Sequence, residues 1–408
     1  MLQRPEVALP LRVLALAVAL FGQLSIRGGQ GVVLATRCYA AGLVLWLLTR
    51  PSTIRLALHA PGSRGEADPR ARRLRAVAAF AAIALGIFAL WRLHATLYDS
   101  GPGAVAWLLT VVLWAWAIRG RPSRGPRDPI GARELLLFAL VVGLAAFFRF
   151  HRLGDWLSGM HGDEGEAGLD AFRILRGEHV PPFATGWFSQ GNLYYWGVAL
   201  GMKVAGVSLA GLRLFSAVVG VLLLVPAWLL AREAFGRRVA LLAAAFLAIS
   251  DVAVNFSRLE FSNVTTPLSL ALGFWLLLRG LARGGASSFL LAGYAHAAGL
   301  YFYQGARLTP ILGVGFLVFL LAGLPLLSVA HAAWRRRSPA AALRCAAHRS
   351  RRLLAPCALY GFSLALFGGP FFVYSLDHRE ESTFRVKQKL IFNNEARVAS
   401  LHGARHEP

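Results

Sequence analysis

The stretch His161-Gly162-Asp163-Glu164-Gly165-Glu166 gathers an imidazole and three carboxylates in six residues, just before an amphipathic segment, Ala167 to Arg176. A carboxylate held at the start of a helix, just outside a bilayer, has the chemistry of a general base toward a hydroxyl group. Acids are scarce elsewhere: the chain has 20 Asp and Glu against 43 Lys and Arg, and Asp155, Asp163, Glu164, Glu166, Asp170 and Glu178 all fall between 155 and 178. Carboxylates beside lipid are costly unless they are solvated or carry a function. The spacing predicts Asp163 as the N-cap of a short helix, with Glu166 three residues on in capping-box position. Leu169, Phe172 and Leu175 then share one apolar face, and Gly177 ends the helix. A purely structural reading, a cap followed by a solvated face, uses the same residues. His161, Asp163 and Glu164 also offer ligands for a divalent cation, although one imidazole and two carboxylates without a second cluster are a weak metal signal. No cofactor is expected.

Two further constellations could recognise a ligand. Trp187 to Trp196 interleaves aromatics with Ser189, Gln190 and Asn192 and includes Tyr194. Such a mixture is the usual make-up of a membrane-interface belt, and equally of a wall on which a sugar stacks and hydrogen-bonds. The other set is Arg213, the run Ser257-Arg258-Leu259-Glu260-Phe261-Ser262-Asn263, and the run Tyr301-Phe302-Tyr303-Gln304-Gly305-Ala306-Arg307. Arginine at an outer span end calls for an anionic partner: a neighbouring acid, a lipid phosphate, or a substrate phosphate gripped by Arg258 and Arg307.

These residues must be positioned by membrane helices. The chain is 56% hydrophobic with a mean hydropathy of +0.54 and 15% charged residues, which marks an all-α polytopic membrane protein. Eleven apolar runs read as spans, at about 9–26, 31–49, 74–93, 103–119, 134–150, 211–230, 239–256, 264–281, 288–304, 308–327 and 353–376. With a cytoplasmic N-terminus, the Arg-rich segments 50–75, 119–133, 231–238 and 331–352 all fall in the cytoplasm. The acidic loop 151–190 and the two outer span-end clusters then lie outside. Leu193 to Val207 is short and interrupted by Gly197, Gly201, Lys203 and Gly206, so it reads as an interfacial or re-entrant helix. The net charge of +23 sits in loops and meets lipid headgroups; no basic soluble domain suited to nucleic acid is visible. Cys38, Cys345 and Cys357 are scattered and form neither a disulfide framework nor a metal pair. Usage rich in Arg and Ala and poor in Lys points to a GC-rich bacterial genome. The domain division is 1–130, an extra four-helix membrane region; 131–392, the membrane core; and 393–408, a polar tail.

An apolar helix followed by Asp163-Glu164 opens a helix ending in Ile174-Leu175-Arg176-Gly177. Then come Leu193-Tyr194-Tyr195-Trp196, Arg213-Leu214, Ala231 to Arg237, Phe256-Ser257-Arg258, and Gly299 to Leu308. This order resembles the GT-C membrane glycosyltransferases of the protein mannosyltransferase and aminoarabinose lipid A transferase type, over roughly 133–392. The resemblance implies a GT-C bundle with an outer acidic loop carrying juxtamembrane helices, in a bacterial inner membrane with the site facing the exterior. It implies inverting transfer of a sugar from a polyprenyl-phosphate donor to a hydroxyl on a lipid, glycan or protein, with the need for a divalent cation left open. Asp163 would activate the acceptor with Glu164 beside it. His161, Gln190, Asn192, Tyr194, Arg213, Arg258, Glu260, Asn263, Tyr303 and Arg307 would bind substrate. Gln190-Gly191-Asn192 replaces the family's proline-rich approach to the Leu-Tyr pair, and Asn263 stands where many relatives have an acid. Relatives continue past the position of Asp377 with further spans, so the expectation is a truncated chain, a fold completed from elsewhere, or N-terminal helices that take over the packing. A flippase or transporter is the main rival and needs polar groups at midspan, whereas most charges here sit at span ends. A non-catalytic membrane partner is the third reading.

Overall fold

The computed structural model describes residues 41, 69–95, 101–117, 129–155, 159–178, 180–186, 189–334 and 338–383. The expected spans at 9–26 and 31–49 (Ala41 apart), most of the linker 50–75 and the tail 393–408 lie outside these residues. The described elements are helices: α1 Pro69–Ala95, α2 Gly101–Ala117, α3 Ala132–Phe150, α4 Gly162–Leu175, α5 Leu193–Ala205, α6 Leu209–Leu222, α7 Leu224–Phe235, α8 Arg237–Ile249, α9 Asp251–Arg258, α10 Thr265–Arg283, α11 Ala286–Gly299, α12 Leu308–Val318, α13 Leu324–Trp334 and α14 Pro339–Asp377. The chain is an all-α polytopic membrane protein.

Among the described residues, five helical segments are long and apolar enough to cross a membrane, or six if the bent pair α8–α9 is one span. The expected eleven is not reached, for identifiable reasons. Two of the eleven lie outside the described residues. Helix α3 carries Arg133, Glu134 and Arg149 in its 19 residues, α11 is only 14 residues long, and α2, at 17, is also short for a span. The remaining runs coincide with helices. Residues Leu209–Phe235 form one span of α6 and α7, interrupted at Leu223. Pro226, three residues beyond, cannot donate to the carbonyl of Leu222, and the interruption sits there. Leu193–Ala205 is indeed short, at 13 residues.

The expected boundary at 130/131 is no break in packing. Trp107 of α2 is buried against Phe183, Tyr301 and Phe367 at ring distances of 5.2, 5.5 and 6.3 Å, so α2 shares one core with α11, α14 and the loop before α5. A second cluster joins Ala167 and Ala171 of α4 to Tyr194, Val198 and Leu212, and this is what seats α4 on the bundle.

Two buried arginines lock the break between α8 and α9. The pair is bent by 53°, which strands carbonyls at the end of α8. Arg149, wholly buried on α3, donates to the carbonyls of Ala248 (3.0 Å) and Leu247 (3.2 Å). Arg258, at the end of α9, donates in return to Phe148 O (2.6 Å) and Arg152 O (3.2 Å) at the end of α3. Each guanidinium thus caps the helix opposite. Arg149→Met fills the volume but leaves carbonyls unmet, so it should lower stability by on the order of 2 kcal/mol, read as a lowered unfolding temperature in detergent. An unchanged unfolding temperature would show that the carbonyls find other donors.

Candidate active site

Helix α4 begins two residues earlier than the spacing predicts. The N-cap is His161, not Asp163: its Nδ1 accepts from Asp163 N at 3.1 Å, and Glu164 Oε2 accepts from His161 N at 3.0 Å. The capping box is therefore His161/Glu164 rather than Asp163/Glu166, because an imidazole nitrogen can fill the acceptor role usually held by a short oxygen side chain. Asp163 is thereby released from capping. It sits in the first turn of α4 with a half-exposed side chain, turned into a cavity.

Glu164 is the structural hub. Arg213 Nε and Nη2 of α6 reach its two oxygens at 2.8 and 3.0 Å, with both side chains wholly buried. Glu260 N donates to Glu164 Oε1 at 2.9 Å, and Arg213 Nη2 also donates to Gly159 O at 3.1 Å. Burial pushes the Glu164 carboxyl up. The Arg213 guanidinium and the main-chain N–H groups of His161 and Glu260 outweigh it, and its pKa lies below the ordinary value. One carboxylate thus ties together α4, α6 and the loop after α9.

The cavity holds about 200 Å³. Six residues singled out from the sequence line it: Asp163, Gln190, Tyr194, Glu260, Asn263 and Tyr303. They come from the start of α4, the approach to α5, the turn between α9 and α10, and the turn before α12. Reading the sequence missed the roles of Ser262, whose hydroxyl donates to Gln190 Oε1, and of Phe256 and Phe261, which supply apolar wall. All three lie in or beside the quoted run 257–263, so proximity was the available signal. Tyr195, next to Tyr194, also lines the cavity.

The walls are held by close backbone contact. A Cβ on Gly191 would lie 2.1 Å from Tyr301 O, so glycine lets the approach to α5 lie directly on the end of α11. Gly191→Ala should separate Gln190 from Tyr303 and lower stability by about 1–3 kcal/mol, seen as an earlier unfolding transition. A variant as stable as the parent would refute the packing argument.

The other predicted binding residues act at one remove. Asn192 is buried and does not line the cavity; its Nδ2 donates to Pro181 O at 2.9 Å and clamps the loop. The ring of His161 packs edge-on against Phe261, with centroids 5.6 Å apart. Arg213 is engaged by Glu164. Arg258 and Arg307, expected to grip a phosphate, do not line the cavity. Arg258 caps α3, while Arg307 donates to the carbonyls of Ser382 and Ser189 and lies 5.2 Å from the Phe371 ring. Main-chain carbonyls at irregular helix ends have taken both guanidiniums.

Glu260 is engaged on one side only, by the Tyr194 hydroxyl. It is 2% exposed and lines the cavity, and among the described residues its Oε1 has no hydrogen-bond partner. Burial, then the nearby Glu164 and Asp163 carboxylates, push its pKa well above the usual range despite the Tyr194 hydroxyl. Among the described residues no group of three or more His, Cys, Asp or Glu side chains is placed to hold a metal ion.

No curated protein and no solved structure matches this chain. A family model does, beginning after α4, so that Asp163 and Glu164 lie outside the matched region. Residues 189–333, which carry Gln190, Tyr194, Glu260, Asn263 and Tyr303 on a frame of apolar helices, match the dolichyl-phosphate-mannose-protein mannosyltransferase family, and this supports a membrane glycosyltransferase of the GT-C type.

Proposed function

We propose that the chain transfers a sugar from a polyprenyl-phosphate donor to a hydroxyl acceptor, with inversion, in the cavity beneath the start of α4. The observation that carries this reading is the meeting of Asp163 with Gln190, Asn263 and Tyr303 around one cavity, the last three from the family-matched region. Asp163 takes the proton of the acceptor hydroxyl as its oxygen attacks the anomeric carbon. The bond from that carbon to the phosphate oxygen breaks, and polyprenyl phosphate leaves. Phosphate is already a good leaving group, so no strong acid is needed. Gln190, Asn263 and Tyr303 offer hydrogen bonds to sugar hydroxyls, and Phe256 and Phe261 offer apolar faces. Glu164 and Arg213 are positioning residues: they fix the first turn of α4, from which Asp163 projects.

Orientation follows from charge. Residues Ser262–Arg283 run from the cavity to an end carrying Arg279 and Arg283, beside Arg232. That end is cytoplasmic by the positive-inside rule, so the cavity opens outside.

Purified protein in liposomes should release polyprenyl phosphate from a labelled polyprenyl-phosphate sugar when an acceptor is present. Movement of intact labelled lipid between leaflets without release would instead support the transporter reading.

A further inference from the structure

We propose that Glu260 works as a neutral carboxylic acid, its unpartnered oxygen carrying the proton and donating a hydrogen bond to the phosphate of the lipid-linked donor. This rests on the glycosyl-transfer reading above and adds what holds the phosphate. Three observations support it. First, among the described residues no lysine or arginine lines the cavity, and Arg258 and Arg307 are committed to main-chain carbonyls. A phosphate entering this cavity must be met there by neutral donors. Second, Glu260 lines the cavity, and among the described residues its buried Oε1 has no hydrogen-bond partner. A buried polar atom left unmet is costly, and a ligand atom relieves that cost. Third, its surroundings disfavour a charge. Asp163 and Glu164 face it from α4 and Tyr194 from α5, and Tyr195 and Tyr303 share the cavity. The guanidinium of Arg213 is consumed by Glu164, and that of Arg258 by α3. His161 sits at the rim and caps α4.

A neutral acid suits the task. The donor phosphate is an anionic diester that gains charge as the bond to the sugar breaks, and an O–H aimed at that oxygen strengthens as the charge develops. The proton stays on Glu260, and the acceptor's proton goes to Asp163. The two carboxyls divide the work: Asp163 takes the acceptor's proton, and Glu260 keeps its own. Asn263, three residues on, also has an unpartnered oxygen and is left to the sugar.

The test compares Glu260→Gln, which is isosteric and keeps an N–H donor but cannot ionise, with Glu260→Ala. Labelled polyprenyl-phosphate sugar is the probe, and circular dichroism checks folding. Glu260→Ala should lose roughly 10²-fold in kcat, the scale for removing one donor to a developing oxyanion. Glu260→Gln should recover most of that loss. Wild-type activity should also fall at alkaline pH, as the raised carboxyl ionises, and that fall should vanish in Glu260→Gln. Independently of any activity, infrared difference spectra between wild type and Glu260→Gln without substrate should show the carbonyl stretch of a protonated acid at neutral pH. A folded Glu260→Gln as inactive as Glu260→Ala, or the absence of that stretch, overturns the proposal. Absence of transfer in the wild type with the stretch present would instead count against the glycosyl-transfer reading.

Discussion

Arg213→Ala should destabilise the protein by about 3–5 kcal/mol, the cost of leaving one member of a buried ion pair uncompensated. The stranded group is Glu164, wholly buried and tied to α4, α6 and the loop after α9. A loss of this size is a large share of a typical folding free energy, so the variant should be recovered poorly or melt well below the parent. Glu164→Gln should cost less, because the amide still accepts from two donors and leaves a buried guanidinium that retains Gly159 O. The pair also sets an acid limit. The pKa of Glu164 is lowered in the folded state. Its contribution is therefore complete above the ordinary glutamate value of about 4.3 and fades as pH falls through the folded value. Acid unfolding of the parent should thus be steeper than that of Glu164→Gln, measured by urea midpoints across that range. Identical slopes would place the acid sensitivity elsewhere.

Asp163→Asn should leave the fold intact and remove catalysis. The side chain is half exposed and its main-chain N–H, which Asn shares, makes the cap contact with His161. Loss of a general base typically costs 10²–10⁴-fold, so kcat should fall by roughly that factor while the unfolding temperature moves little. A folded Asp163→Asn protein that transfers sugar at the parent rate would eliminate Asp163 as the base.

The contrast between Asp163 and its neighbours shows which features the sequence carries. Apolar runs announced most of the helices, because lipid imposes hydrophobicity over the whole span. The acidic run pointed to the start of α4 as the place to look for chemistry, because carboxylates beside lipid are rare. The cap of α4 was misplaced by two residues, since His161 is an unusual N-cap and Asp163 a common one. The arginines misled in a more instructive way. Arg258 and Arg307 sit at helix ends as phosphate ligands would, yet each meets main-chain carbonyls where helices end. Those carbonyls belong to the end of α3 and to the loop at Ser189, far from these arginines along the chain, and no local pattern encodes the meeting. The assignment of Glu164 to structure and Glu260 to the cavity wall likewise depends on partners far along the chain, at Arg213 and Tyr194.

The most direct test is a structure of the protein with a non-cleavable polyprenyl-phosphonate sugar. The account predicts the sugar in the cavity, its anomeric carbon facing Asp163 across room for one acceptor hydroxyl, and a phosphonate oxygen within hydrogen-bond distance of Glu260. An analogue bound elsewhere, with Asp163 facing solvent and the cavity empty, would contradict it.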